Sequence, residues 1–265
     1  MKDNSNKGNV LITGGSSGIG EAMVKAFAEQ GYAVWFTYRS GKNRAENLVK
    51  ILSQFSVTAL ELDQSKPESI TELLRQLPGK IDILINNAAV GTRTVEKIAK
   101  TEDSQDMAFF QVNAIGPLWL TMKILPTMKK DGSGKIIFVS SVDGGVTHFP
   151  KARYADGMSK AALTHFVKQL AAELVSDPID IYAICPGATE TPMFTASTLA
   201  KLSDQERQNF LSSLPGKRLI DPDEIARLAL FLCSKEGALL RGSVIDASMG
   251  LGNNPFSVHS MRGKR

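Results

Sequence analysis

Seven short apolar runs, separated by stretches of helical periodicity, set the strongest constraint on what this chain can become. The runs are Val10–Thr13, Ala33–Tyr38, Val57–Leu62, Ile81–Asn86, Lys135–Ser140, Ile179–Ile184 and Ser243–Ala247. Between them lie Gly18–Gln30, Arg44–Phe55, Pro67–Leu77, Ser104–Lys130, Ser159–Val175 and Pro222–Leu232, all with helical spacing. Strands that read apolar throughout are buried on both faces, and alternation with helices predicts a parallel sheet covered on either side. Right-handed crossovers then give an α/β fold, a Rossmann-type doubly wound sheet of about seven strands. Ligands of such sheets bind beyond the carboxyl ends of the strands, so the residues after each run are the candidate site.

The first run passes through Thr13-Gly14-Gly15-Ser16-Ser17-Gly18-Ile19-Gly20 directly into a helical stretch. Gly14 permits a tight turn, Gly18 lets backbone approach a pyrophosphate, and Gly20 lets helix and strand pack closely. The helix start offers free N–H groups and partial positive charge to phosphates. The spacing is TGxxxGxG, and its place between the first strand and the first helix gives it force.

Composition agrees with one globular unit. Of 265 residues, 43% are hydrophobic and 22% charged, which excludes a disordered chain. Two cysteines, Cys185 and Cys233, make no disulfide framework and no C-x-x-C pair, and read as free thiols of a reducing cytoplasm. No stretch is long and apolar enough for a membrane span, and the three histidines show no metal-ligand spacing. The net charge of +4 is scattered, so an anionic cofactor explains it better than nucleic acid. Residues 1–8 read as a disordered polar lead-in, 9–251 as a single dinucleotide-binding and catalytic domain, and 252–265 as a polar to basic tail.

From Asn9 to about Leu251 the chain resembles the short-chain dehydrogenase/reductase family in its single-domain form. Six motifs in the family's order carry the resemblance. They are the glycine-rich turn, Asn86-Asn87-Ala88-Ala89, Val112-Asn113-Ala114-Ile115-Gly116-Pro117, Ser140-Ser141, Ser159-Lys160-Ala161-Ala162-Leu163, and Pro186-Gly187 with Thr191. The resemblance implies hydride exchange between a nicotinamide cofactor and a carbonyl or alcohol. It implies cofactor contacts at Gly14, Ser16, Ser17, Gly18 and Ile19 in the turn, and at Asn87, Ala88 and Ala89. Asp63, with Gln64 beside it, takes the adenine place, and Pro186, Gly187, Thr189 and Thr191 lie on the nicotinamide side.

The second run ends Thr37-Tyr38-Arg39-Ser40, with no acid to accept from a ribose 2′-OH until Glu46. Arg39, permanently charged and forked, suits a 2′-phosphate, with Ser40 and Lys42 in support. The expected cofactor is therefore NADP(H).

By resemblance, Asn113 supports a proton relay, Ser141 orients the substrate oxygen, and Lys160 lowers the pKa of a tyrosine and holds the nicotinamide ribose. The family's tyrosine stands four residues before the lysine. Here that position is Asp156, and the nearest tyrosine, Tyr154, is six before Lys160. Six helical steps turn a side chain by roughly 240°. From Ser141, however, Tyr154 stands at the family's usual separation. Two readings follow. Either Asp156 takes the tyrosine place and is held ionised by Lys160, or it caps a helix that starts late and leaves Tyr154 on the loop. The second is the expectation here, with Tyr154 as the atypical proton donor.

The segments Val142–Arg153 and Met193–Pro215, with Asp143, Val146, His148, Phe149, Met193 and Phe194, should wall a small-molecule carbonyl or alcohol site. The resemblance implies a homodimer or homotetramer through the two long helices, which carry Phe109, Phe110, Leu118, Trp119, Met122, Phe166, Leu170 and Leu174. The departure at Asp156 supports an alternative: a cofactor-binding relative without ordinary redox activity, regulatory or accessory, or a dehydratase or isomerase using Asp156 as a base.

Overall fold

A computed structural model describes residues 6–149 and 152–253. The strands are β1 (Asn9–Ile12), β2 (Ala33–Tyr38), β3 (Val57–Glu61), β4 (Ile83–Asn86), β5 (Gly134–Val139), β6 (Ile179–Pro186) and β7 (Val244–Ala247). All pair in parallel, in the order β3-β2-β1-β4-β5-β6-β7. This is the doubly wound sheet expected, and every strand falls within or overlaps an apolar run. The order reverses between β1 and β4, which fixes where the cofactor crevice opens.

The helices are α1 (Gly18–Glu29), α2 (Lys42–Ile51), α3 (Pro67–Gln76), α4 (Thr92–Val95), α5 (Glu102–Phe110), α6 (Gly116–Asp131), α7 (Val142–Gly145), α8 (Tyr154–Glu173), α9 (Pro192–Ser197), α10 (Asp204–Ser213) and α11 (Pro222–Cys233). One apolar layer packs α1 and α11 on the sheet around Phe27, Phe36 and Tyr182. The other packs α3, α6 and α8 around Leu120, Phe138 and Val167. A third, small cluster of Leu199, Phe210, Leu214 and Leu251 with Val142 sits above the ends of β5 and β6.

The long helix expected over Ser104–Lys130 exists, but a π-helical turn, Gln111–Ile115, interrupts it between α5 and α6. Such turns insert an extra residue into one helical turn and recur at functional sites. Expectations for the lead-in and the tail fall mostly on residues 1–5 and 254–265, outside the described residues. Among the described residues no helix is long and apolar enough to cross a membrane.

Candidate active site

The cofactor crevice is built where the ends of β1, β2 and β4 meet. Thr13, fully buried, accepts at Oγ1 from the backbone N–H of Asn87 (3.0 Å) and of Ala88 (2.9 Å). Asn87 returns its amide to the carbonyls of Thr13 and Gly14 at 3.0 and 3.2 Å. The turns after β1 and β4 are thereby locked together. Gly14 has φ 68°, and a Cβ there would lie 2.8 Å from the Cα of Ala88. Gly18 has φ 57°, and a Cβ would meet Thr191 Cγ2 at 3.0 Å, so the turn also touches the segment after β6. Ser17 precedes α1 in extended conformation without a side-chain capping bond, which leaves the first-turn amides to a ligand. These residues fit a dinucleotide: glycines leave the space, and amides at a helix start face it.

Arg39 and Ser40 both stand exposed just beyond β2. Sequence reasoning missed a second guanidinium. A Cβ on Gly41 would lie 2.8 Å from an Arg44 Nη and 2.7 Å from Ser16 Oγ, so Arg44 reaches back from α2 toward the glycine-rich turn. Asp63 sits at the next strand end, its carboxylate accepting from Ser65 N–H (3.2 Å) and Oγ (2.5 Å). Gln64 is turned inward and is only 4% exposed. Its amide donates to the carbonyls of Ala88 (2.9 Å) and Val112 (2.7 Å), so it braces the crevice floor. Its Oε1 is buried with no hydrogen-bond partner among the described residues. Ala89 follows Ala88 along the crevice, and Ile19 packs partly into the core beneath it. Pro186 and Gly187 line the adjoining cavity. Thr189 is buried and donates to the carbonyl of Gly187 at 3.0 Å, and Thr191 caps α9 by accepting from Phe194 N–H at 3.1 Å.

Asn113, 1% exposed, lies in the π-helical turn. It accepts from Val90 N–H (2.8 Å) and donates to the Val90 carbonyl (3.0 Å) and Ser159 Oγ (3.2 Å). It therefore ties the end of β4 to α8. Ser141 follows β5 as the N-cap of α7, accepts at Oγ from Asp143 N–H (3.2 Å), and lines the cavity. Lys160 points back to the sheet, donating to the carbonyl of Val139 at 3.4 Å, and its own carbonyl accepts from Ser140 Oγ at 2.9 Å. Burial lowers its pKa, against the opposing charge of Asp156.

The start of α8 corrects the expected late helix. The helix begins at Tyr154, with Arg153 as its N-cap, so Asp156 is not the cap but lies within the first turn. The cause is tertiary. The Arg153 guanidinium is clamped by Asp106 (2.9 and 2.6 Å), Gln105 (2.6 Å) and the Glu102 carbonyl (3.1 Å), above the Phe109 ring at 5.3 Å. This fastens the chain to α5 one residue before the helix. Three stripes then follow at four-residue spacing. Ala155, Ser159, Leu163 and Val167 are buried. Tyr154 and Met158 face outward, 86% and 58% exposed. Asp156 and Lys160 share the flank between them, part-buried. The structure thus brings Asp156 together with Lys160 on a part-buried flank and turns Tyr154 outward; Ser141 and Asp143, rather than any of these three, line the cavity.

In the alternative that sets Asp156 beside Lys160, the lysine was expected to pull the carboxyl's pKa down, and this pull does not prevail. Burial pushes the Asp156 carboxyl up to about 6, overcoming the pull of Lys160, and the Asp143 carboxylate adds to the rise. Asp143 had been read only as a polar wall residue. Its carboxylate accepts from Phe149 N–H at 3.2 Å and lies 3.7 Å from where a Gly157 side chain would begin. Burial raises its pKa too.

The cavity beyond Ser141 holds about 240 Å³. Val142, Phe149, Phe194, Phe210, Leu214 and Leu251 make it apolar, and Asp143 is the charged residue in its lining. The wall segment Val142–Arg153 includes residues 150–151, which lie outside the described ones. Among the described residues no cluster of three or more His, Cys, Asp or Glu is placed to hold a metal.

Comparison with known proteins gives the same outline. A family model described as enoyl-(acyl carrier protein) reductase matches residues 14–252. A 3-oxoacyl-(acyl-carrier-protein) reductase of Thermotoga maritima is 35% identical over 247 residues, covering 91% of this chain and 96% of that protein. Among solved structures, an actinorhodin polyketide ketoreductase variant with NADPH superposes with a TM-score of 0.84 at 25% identity, covering 96% of this chain and all of that one. A 3-ketoacyl-(acyl-carrier-protein) reductase of Brucella melitensis, complexed with NADH, gives 0.80 at 29% identity, covering 93% of this chain and 99% of that one.

Proposed function

The chain belongs to the short-chain dehydrogenase/reductase family, and from that premise we propose that it reduces a carbonyl on a small, largely apolar molecule with NADPH. One observation carries the reading. The glycine-rich turn follows β1 and Ser141 follows β5, on the same edge of one parallel sheet, and Ser141 lines an apolar cavity large enough for a small substrate. Arg39, with Ser40 and no acid at the end of β2, supports the phosphorylated cofactor. When bound, the nicotinamide supplies a hydride to the carbonyl carbon. The chain's own work is to hold it at Lys160, to orient the substrate oxygen at Ser141, and to give that oxygen a proton. Outward-facing Met107, Met122 and Met158 on α5, α6 and α8 support assembly with further copies of this chain.

The test is NADPH oxidation against a panel of alkyl ketones, β-keto esters and β-keto thioesters. The reading predicts turnover on at least one of these classes. Tight NADPH binding with no turnover on any of them would instead support the cofactor-binding relative without redox activity. That alternative is favoured by the outward turn of Tyr154.

A further inference from the structure

We propose that Asp156 is the residue that exchanges the proton with the substrate oxygen, and that Asp143 is a positioning residue, held against the start of α8, that favours its acid form. This rests on the reading of the chain as a carbonyl reductase. The geometry comes from three elements. The first turn of α8 sets Asp156 one turn before Lys160, on the same flank. The end of β5 brings Ser141 to the cavity. The α7 turn carries the Asp143 carboxylate against Gly157, the residue after Asp156, close enough for its charge to act on the Asp156 carboxyl. That contact is enforced by backbone: Gly144 has φ 81°, and a Cβ there would lie 2.1 Å from the Gly157 carbonyl oxygen. The α7 turn and the start of α8 therefore cannot separate without breaking their packing.

The charged groups around Asp156 come from every neighbouring element. Lys160 follows on its own helix and Arg153 precedes it, both favouring the carboxylate. Asp143 opposes it from α7, and His148 stands near Asp143 on the loop beyond. On β6, Cys185 faces Lys160. Burial and Asp143 prevail, so the Asp156 carboxyl titrates around 6, and its acid form is half the population there and a minor fraction at pH 7. The step balances. As hydride reaches the carbonyl carbon, the C=O π pair moves to oxygen. A new O–H bond forms while the Asp156 O–H bond breaks, leaving a carboxylate beside the Lys160 ammonium and, overall, NADP⁺ and an alcohol. Solvent then returns the proton.

The experiment combines carboxyl infrared titration of the NADP⁺-bound protein with turnover and NADPH affinity, for wild type, Asp156→Asn, Asp143→Asn and Tyr154→Phe. The expected result is a carboxyl midpoint near 6 that disappears in Asp156→Asn and falls in Asp143→Asn. With it, kcat for reduction should drop about 100-fold or more in Asp156→Asn while NADPH affinity holds. In wild type the reduction rate should fall about tenfold per pH unit above the midpoint. Absence of that carboxyl band, or full activity in Asp156→Asn, overturns the proposal. So does loss of activity in Tyr154→Phe alone. No turnover by wild type across the panel overturns the reductase reading and this assignment with it. A working wild type with an indifferent Asp156→Asn overturns only the assignment.

Discussion

At the scale of single residues, Asp156 carries a thermodynamic signature that needs no substrate. Its folded pKa, pushed up to about 6 by burial, exceeds the ordinary 3.8. Between these values the folded state binds more protons than the unfolded one, so stability falls as pH rises from about 4 to 6. The full rise corresponds to at most about 3 kcal/mol above pH 6. Asp156→Asn removes this titration. The Tm difference, variant minus wild type, should therefore grow from pH 4 to pH 6 and level off beyond. A flat difference across that window would place Asp156 in a solvated environment. What was legible in sequence at this scale were glycines required by local backbone: Gly14 and Gly18, both at positive φ in the turn after β1. The environment of Asp156 was not, because its main charged opponent, Asp143, is thirteen residues earlier and arrives by a turn of α7. Gln64 was placed beside Asp63 on the adenine side by family resemblance, and the carbonyls of Ala88 and Val112, 24 and 48 residues away, are what its amide bonds inside the crevice floor.

At the scale of elements, two contacts fix the start of α8. The α7 turn meets α8 at Gly144 and Gly157, and Arg153 fastens α8 to α5. Gly144→Ala meets both a positive φ and a carbonyl oxygen at 2.1 Å. It should cost on the order of 2 kcal/mol or more, read as a Tm loss, and should shift the Ser141–Asp143 turn. A variant as stable as wild type would show that the α7 turn is free to move. The helix start was misread for the same reason that makes it rigid. Asp is a favoured N-cap by local rules, but the four bonds of Arg153 to α5 choose a start two residues earlier than Asp156. All seven strands were legible from their runs, the central ones largely apolar and the edge strands β3 and β7 interrupted by Thr58, Glu61 and Asp246. The π-helical turn at Asn113 was not, since one extra residue leaves little trace in an apolar period. For α10, the Ser203-x-x-Glu206 capping box was a readable signal that had been absorbed into an assumed substrate loop.

At the scale of the whole molecule, the sheet holds two regions in register: a cofactor crevice across β1, β2 and β4, and a cavity beyond β5 and β6. The far edge is tied at the opposite end of the strands. Asp180 on β6, 5% exposed, bonds Lys135 on β5 at 2.5 Å and Arg241 before β7 at 2.7 Å. Burial acts to raise its pKa, but those two cations outweigh it and hold the carboxyl below its ordinary value. Its stabilisation is therefore present at neutral pH and lost only as pH falls through the acid range. Asp180→Ala leaves Lys135 and Arg241 without their carboxylate and should destabilise by about 3 kcal/mol or more at pH 7, with a smaller loss near pH 3. Equal losses at both pH values would mean that packing, not charge, makes the tie. The crevice itself gives the most direct test of the central claim, that this molecule is built to work with NADPH. Titrating NADPH and NADH against wild type and Arg39→Ala should show wild type preferring NADPH by roughly tenfold or more, with Arg39→Ala erasing most of that difference while NADH affinity holds. Equal affinities in wild type, or a preference for NADH, would contradict the account.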